Sequence, residues 1–496
     1  MILSVRTALL LLLAAPVAAQ APYSSGAAAP YASGAAAPYA SGAAAPGFSA
    51  SERQQGAQAN PQLTAQFGGA YAGPQAAYVR AVGQRIAVQS GMAARPTDYT
   101  VTLLNSNINN AFAVPGGYVY VTRQLVALMN NEAELAFVMG HEVGHVAARH
   151  ASKRETRSGL AGLGAALLGA VTGSDIIGRL AGSGAQLYSL GYSRGQESEA
   201  DSLGVRYLAR AGYDPAASSD ILASLAAQTT LDARLTGRSD APKASWLSTH
   251  PADAERVART RREAATLTAN AGPRATNRDA FLNAIDGMAY DDDPSQGIIK
   301  GTGFRHAGIG IAFDAPPGFA LQNTPAAVIG ASPQAGRFQF GGGSARGADL
   351  ASYSAKVWEA AGARVTDVRP TRINGIEAAI SQTRVDGQNG AVDATLAVYR
   401  WGPDSYYHLL MIAPAGGAAA FDPLIGSVRR LSAQDAAAVR GRIVRVVRVQ
   451  PRDTVASMAA RMAYDDDRVA RFTVLNGIGT DTRLQPGSRV KLIVYR

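Results

Sequence analysis

Between residues 131 and 146 the apolar positions fall at Leu135, Val138, Met139, Val143 and Val146, the three- and four-residue spacing of one helix face. Asn131 stands as N-cap and Glu134 as the N3 partner of a capping box. Residues 195–210 predict a second helix, on which Glu197, Asp201, Gly204 and Leu208 share one face while Glu199 points elsewhere. Residues 98–104 and 118–122 have strand composition, with the turn signal Val114-Pro115-Gly116-Gly117 between them. Strand-like segments at 309–313, 337–340, 378–384 and 394–399, with a helical stretch at 350–361, predict an α+β domain over 300–432. The tail, 442–496, reads strand, helix, helix, strand. The pattern therefore predicts a multidomain chain: a mainly α-helical domain with a small β-sheet over 61–285, the α+β domain, and a small βααβ module. Asp291 to Gly297, rich in acid and turn residues, reads as a linker between the first two.

The ends of the chain add a compartment. Arg6, the apolar run from Thr7 to Ala15 and the small residues Val17-Ala18-Ala19 have the layout of a signal peptide over 1–20. Three copies of Pro-Tyr-(Ser/Ala)-Ser-Gly-Ala-Ala-Ala follow from Pro22 to Ala45; side chains this small bury too little surface to offset chain entropy, so 21–60 is expected to be a disordered tether. The chain has no cysteine, which excludes disulfides and a lipid-modified cysteine and suits a bacterial periplasm, with secretion as the alternative. Residues 159–173 are apolar and uncharged, but this stretch is shorter than the roughly 20 residues a spanning helix needs. We expect 160–190 to form a helical flap over the active site or to pack on it, with peripheral membrane contact as one of its uses. The net charge of +10 is concentrated in the tail, where twelve basic and five acidic residues follow from Arg440 onward. That balance suits anionic lipid or cell-wall polymers, and export argues against nucleic acid as a partner.

The chemistry lies in His141-Glu142-Val143-Gly144-His145. Histidines four apart on a helix project from one face with Cβ atoms roughly 6 Å apart, a span that one tetrahedral Zn²⁺ bridges. One zinc ion per chain is expected, with Glu142 beside it as general base. His150, Glu197 and Glu199 are the candidates for a third protein ligand. On a continuing helix His150 faces about 180° away from the metal and reads as a solvated last-turn histidine. Glu197 and Asp201 share a face, so Glu197 is assigned as the ligand and Asp201 as the acceptor that orients a ligating imidazole. Gly144 and Gly204 would let the two helices approach closely. Oxyanion donors are offered by His250, Tyr192, Arg194 and Asn110. His250 is favoured because Pro251 starts a helix whose positive dipole end keeps the imidazole neutral. The same ring is equally placed to fill the metal's fourth position in a resting enzyme.

Several motifs in order extend this picture. Asn110-Ala-Phe-Ala-Val-Pro-Gly-Gly-Tyr118-Val-Tyr-Val, the histidine motif, Ser193-Arg194 leading into Glu197-Ser-Glu-Ala-Asp201, and Thr249-His250-Pro251 resemble the CAAX-prenyl-protease/HtpX type of zinc metalloendopeptidases, which includes periplasmic BepA-like members. The resemblance covers about residues 60–270. It implies a gluzincin-type fold, His141, His145 and Glu197 as ligands, Glu142 as catalytic glutamate and Asp201 behind them. In the tail, Val449-Gln-Pro-Arg-Asp-Thr454, Leu475-Asn476-Gly477 and Leu484-Gln-Pro-Gly487 resemble a LysM domain. Arg452 replaces the usual glycine, and Asp465-Asp466-Asp467 adds acid where glycan-contacting loops lie, so peptidoglycan contact and a purely structural role both stay open.

These features predict an exported zinc endopeptidase for unfolded or misassembled envelope proteins, taking extended segments along the strand beside the histidine helix. The competing expectation is an envelope binding or chaperone-like scaffold with a latent zinc site. His306 and His408 have no spaced partners and read as structural or exposed.

Overall fold

The computed structural model describes residues 47–150, 192–236, 246, 250, 254–269, 274–324, 327–387 and 390–496. The expected signal peptide, most of the repeat tether, the segment 160–190 and Pro251 lie outside the described residues. None of the described helices is long and apolar enough to cross a membrane.

Helix α1, Ala50–Gln66, corrects the expected tether, because ordered structure begins well before residue 60. Ser49 caps it reciprocally with Glu52: Ser49 Oγ accepts from Glu52 N at 3.1 Å, and Ser49 N donates to Glu52 Oε2 at 2.7 Å. Leu63 and Phe67 bury against Phe112 and Tyr120. Low-complexity composition spills over into this stretch and conceals a capped helix with only a few large apolar anchors. Gly56 is required there, since a Cβ would meet Pro115 O at 2.4 Å.

Helix α2, Gln75–Ala87, precedes a three-stranded sheet of β1, Thr100–Leu104, β2, Ala111–Val114, and β3, Tyr118–Thr122, in the order β1-β3-β2. The turn signal at 114–117 joins β2 to β3 as an antiparallel hairpin, and β1 pairs with β3 in parallel. Gly116 and Gly117 take φ of +91° and +93°, a region that side chains disfavour. A short helix α3, Arg123–Leu128, leads into α4, Glu132–Ala147. Asn131 caps α4 as expected, accepting from Glu134 N at 3.0 Å. Glu134 reaches one residue farther back than a simple box, accepting from Asn130 N at 2.8 Å and from the Asn131 amide at 2.8 Å.

Helix α5, Arg194–Arg210, lies against α4. Their approach depends on glycine: a Cβ at Gly144 would stand 3.2 Å from Ala200 O, and one at Gly204 would stand 3.2 Å from His141 N. Helices α6, Ala217–Thr236, α7, Ala254–Thr268, and α8, Arg278–Ile285, complete the helical part.

A β-rich region follows. A seven-stranded antiparallel sheet is built from β8, Ala320–Asn323, β9, Val328–Ser332, β10, Gly336–Ser344, β11, Arg369–Ile373, β12, Ile376–Gly387, β13, Gly390–Arg400, and β14, Ser405–Pro414, in the spatial order β11-β12-β13-β14-β10-β9-β8. Helix α9, Leu350–Ala360, covers one face, where Trp358 donates to Ser381 at 2.8 Å. The other face shares a core with a four-stranded sheet that includes β7, Ile311–Asp314. His408 is half-buried in this region, with Tyr353 Oη 3.1 Å from its Nδ1, and desolvation lowers its pKa to about 4.

Asp291-Asp292-Asp293 corrects the linker expectation, for it is a hydrogen-bonded junction. Asp292 accepts from Asn107 Nδ2 at 2.6 Å and Ile299 N at 2.7 Å, and Asp293 from Asn105 Nδ2 at 3.0 Å. Asp291 accepts from Tyr464 Oη at 2.6 Å and pairs with Arg442 at 3.0 Å. Buried Arg123 donates to the carbonyls of Ala289 and Asp291, tying the same turn to α3. Three parts of the chain are thereby held at one point.

The tail has the expected order: β16, Arg442–Arg448, α10, Val455–Ala459, α11, Arg468–Asn476, and β17, Arg489–Tyr495. It is not a separate globule. β16 also pairs with β4, Ala289–Tyr290, and Val444, Met458, Phe472 and Leu492 belong to the same apolar core as Leu135, Phe137 and Val138 of α4. Buried Lys491 donates to the carbonyls of Ala127 at 2.8 Å, Leu128 at 3.1 Å and Met129 at 2.5 Å, capping the C-terminal end of α3. Burial lowers the Lys491 pKa well below the usual lysine range and raises Glu134 to about 7, while the charge of each pulls the other back. Lys491→Met removes the ammonium from the Ala127 and Met129 carbonyls and leaves Leu128 O with only the Asn130 amide, 3.3 Å away, so we expect a loss of about 3 kcal/mol of unfolding free energy. A urea titration followed by circular dichroism checks this, and an unchanged midpoint would refute it.

Candidate metal centre

Two helices and one short segment bring the site together. On α4, His141, Glu142 and His145 are all buried; on α5, so are Glu197 and Asp201; His250, just ahead of α7, closes the group. One nitrogen or oxygen from each of His141, His145, Glu197 and His250 lies within 4.8 Å of the others.

The donor atoms of this cluster approach one another closely. His141 Nε2 is 3.0 Å from His145 Nε2 and 3.3 Å from His250 Nδ1. Glu197 Oε1 is 2.9 Å from His250 Nδ1 and 3.5 Å from His145 Nε2. Glu197 Oε2 is 3.5 Å from His141 Nε2. A tetrahedron of nitrogen and oxygen atoms about 2.0–2.1 Å from a zinc ion has edges of about 3.3 Å. Three imidazoles and a carboxylate are also the donor set of a borderline cation such as zinc. The residues fit a metal ion of that kind, with His141, His145, Glu197 and His250 as the groups able to hold it.

Behind the cluster, Asp201 Oδ1 faces His141 Nδ1 at 3.0 Å. Arg256, on α7, donates to both Asp201 oxygens at 2.7 and 2.8 Å and stands 2.9 Å from Glu197 Oε2. Arg259 donates to Asp201 at 3.1 Å. Burial alone raises the Asp201 pKa, but the hydrogen bonds from His141 and Arg256 outweigh it and hold the carboxyl well below the usual range. Burial raises Glu197 despite the opposing pull of His141 and Arg256. It lowers His141 and, helped by the neighbouring histidines, lowers His145 further, so both imidazoles are neutral and able to offer lone pairs. Glu142 is pushed well above the ordinary carboxylate range by burial, against a 2.6 Å hydrogen bond from the Trp246 indole.

His150 corrects the solvated last-turn expectation. The helix stops at Ala147, and Arg149 takes φ of +52°, so the chain turns back instead of continuing the helical phase. His150 is buried, with its Nδ1 2.9 Å from His145 Nδ1 and its Nε2 3.1 Å from Glu199 Oε2. It stands one step behind His145, as Asp201 does behind His141. Among the other oxyanion candidates, Tyr192 stacks on His145 at 3.8 Å, Arg194 is exposed at the first turn of α5, and the Asn110 main chain pairs with Thr122.

Arg256 and Trp246 escaped the sequence reasoning. Arg256 sits six residues after His250 in a helix rich in arginine, where no spacing rule separates one buried guanidinium from its solvated neighbours. Trp246 is a lone aromatic four residues before His250, and only the fold aims its N–H at Glu142.

If Asp201 supports a metal-holding imidazole, Asp201→Ala weakens zinc binding about 10–100-fold. Competition against a fluorescent chelator measures it; wild-type affinity in a folded variant would remove Asp201 from that role.

Residues 74–264 match the family described as Peptidase family M48. A beta-barrel assembly-enhancing protease of Yersinia pestis is 31% identical over 211 residues, 41% of each chain. The protein of the same name from Escherichia coli strain K12 is 31% identical over 196 residues, 38% of each. The mitochondrial metalloendopeptidase OMA1 of Arabidopsis thaliana is 35% identical over 159 residues, 32% of this chain and 30% of that one. The match thus spans about two fifths or less of the length of these relatives.

Proposed function

From the Peptidase family M48 domain that residues 74–264 form, we propose that this protein is an exported zinc-dependent metalloendopeptidase of the gluzincin type, cutting unfolded or misassembled envelope proteins. The observation that carries the proposal is the buried cluster of His141, His145, Glu197 and His250, whose donor atoms lie within 4.8 Å of one another, with Glu142 one residue from His141. When bound there, one zinc ion supplies Lewis-acid activation of water and of the scissile carbonyl.

The chain's own residues do the remainder. Glu142 accepts the proton of the attacking water and passes it to the leaving amine. Burial raises this carboxyl above the ordinary carboxylate range, the direction that favours holding a proton between the two transfers. Asp201 and Arg256 orient His141 and Glu197 and keep their charges balanced at a buried site. The edge strand β2, next to α4, is the place for an extended peptide to add through main-chain hydrogen bonds.

The signal-like start of the sequence and the absence of cysteine support a periplasmic location, and the beta-barrel assembly-enhancing role for which the bacterial relatives are named supports envelope proteins as substrates. The βααβ unit at 442–496 is proposed as a LysM-like module that contacts peptidoglycan, and the basic tail and the segment 160–190 as sites of peripheral membrane contact.

Cleavage of casein by zinc-loaded mature protein tests the activity. We expect loss of at least about 100-fold in Glu142→Gln and in a chelated sample, the usual worth of a general base. Cleavage unaffected by either change would overturn the proposal.

One observation favours a second reading, a latent site with rare turnover in an envelope scaffold. His250 Nδ1 lies 2.9 Å from Glu197 and 3.3 Å from His141, where it occupies the position that substrate or water needs. On this geometry His250→Ala raises basal casein cleavage. A fall in kcat with zinc content intact would instead assign the ring to the oxyanion.

A further inference from the structure

We propose that Trp246 is a positioning residue for peptide hydrolysis, holding one oxygen of Glu142 so that the other is presented to the reacting water. The inference rests on the assignment of Glu142 as proton acceptor made above.

A carboxylate buried to the extent of Glu142 requires a donor, since an unpaired charge away from water is costly. Trp246 Nε1 meets Oε1 at 2.6 Å, the short distance of a charge-assisted hydrogen bond. His250 Nε2 stands 3.6 Å from the same oxygen. Oε1 is thus the engaged atom, and Oε2 is the one on which a proton can arrive and leave.

The indole suits this task because it only donates. Its N–H cannot accept the proton that Glu142 takes up, whereas an imidazole or a hydroxyl in its place could exchange roles with the carboxylate. Its placement is tightly determined. The ring stacks on His250 with centroids 4.7 Å apart and planes at 19°, and meets His141 edge-on at 5.1 Å. The Arg256 guanidinium lies 5.2 Å from the ring centroid. The Trp246 main-chain N–H donates to Asn109 O at 2.6 Å, and its carbonyl accepts from His250 N at 2.9 Å. Residues of the site itself therefore hold the ring, and the ring in turn holds the base.

Trp246→Phe keeps a flat ring against His250 and Arg256 and removes only the N–H. With zinc-loaded, full-length mature protein and casein, we expect kcat to fall about 10–100-fold while KM stays within about threefold, the split expected when an interaction made in the transition state is lost. Zinc stoichiometry and Tm should match the wild type, which a merely structural role would not leave untouched. Should the phenylalanine variant not fold, 3-benzothienylalanine at position 246 preserves the bicyclic shape with sulfur in place of N–H, and the same criteria apply. A kcat within twofold of wild type, or a loss of activity that tracks a loss of zinc, overturns the proposal. Glu142→Gln run in parallel separates the two levels. If it cleaves as well as wild type, or if wild type does not cleave, the assignment of Glu142 fails and this inference with it. If only Glu142→Gln is inactive and Trp246→Phe is not impaired, this inference alone fails.

Discussion

The site depends on one buried cation. Arg256 stands between Asp201 and Glu197, donating to the first and pairing with the second, and all three are buried. Two opposite unit charges 4 Å apart attract by about 4 kcal/mol at an effective dielectric constant of 20, and two like charges repel by as much. Without the guanidinium, Asp201, Glu197 and Glu142 would face one another with only neutral imidazoles between them. Its presence explains why α7, which supplies no metal-holding side chain, is part of the site, and why Asp201 stays ionised to orient His141.

Around this cation the histidine helix is held along its length. Gly144 and Gly204 remove the side chains that would separate α4 from α5, so the two ligand-bearing faces meet at backbone distance. At the N-terminal end, Glu134 draws Asn130 and Asn131 into the cap, and Lys491 of the last strand reaches the carbonyls just ahead of it. Past the C-terminal end, the turn at Arg149 folds His150 back under His145. The βααβ unit therefore supports the M48 domain directly, sharing its apolar core. The acidic junction at 291–293 ties the β-rich region to the same support.

The segment bearing Trp246 and His250 connects structure to activity. Its main chain is bonded to Asn109, just ahead of the edge strand, while its two rings engage Glu142 and the metal-holding group. Any substrate that reached the cluster along β2 would have to share this space or displace part of it.

Local rules acting over a few residues were legible in the sequence. Helical spacing placed His141 with His145 and Glu197 with Asp201, the cap at Asn131 set the start of the histidine helix, and the tail showed its strand-helix-helix-strand order. Properties that depend on distant partners were not. Composition suggested a tether where α1 is capped, because a few anchors such as Leu63 and Phe67 decide burial only when Phe112 and Tyr120 are there to meet them. His150 looked solvated because helical phase was extended past a residue whose left-handed backbone ends it. Arg256, Trp246 and Lys491 carry no spacing signature at all. Their roles come from buried charges and donors that must be satisfied by whatever the fold brings near, and that pairing exists only in three dimensions.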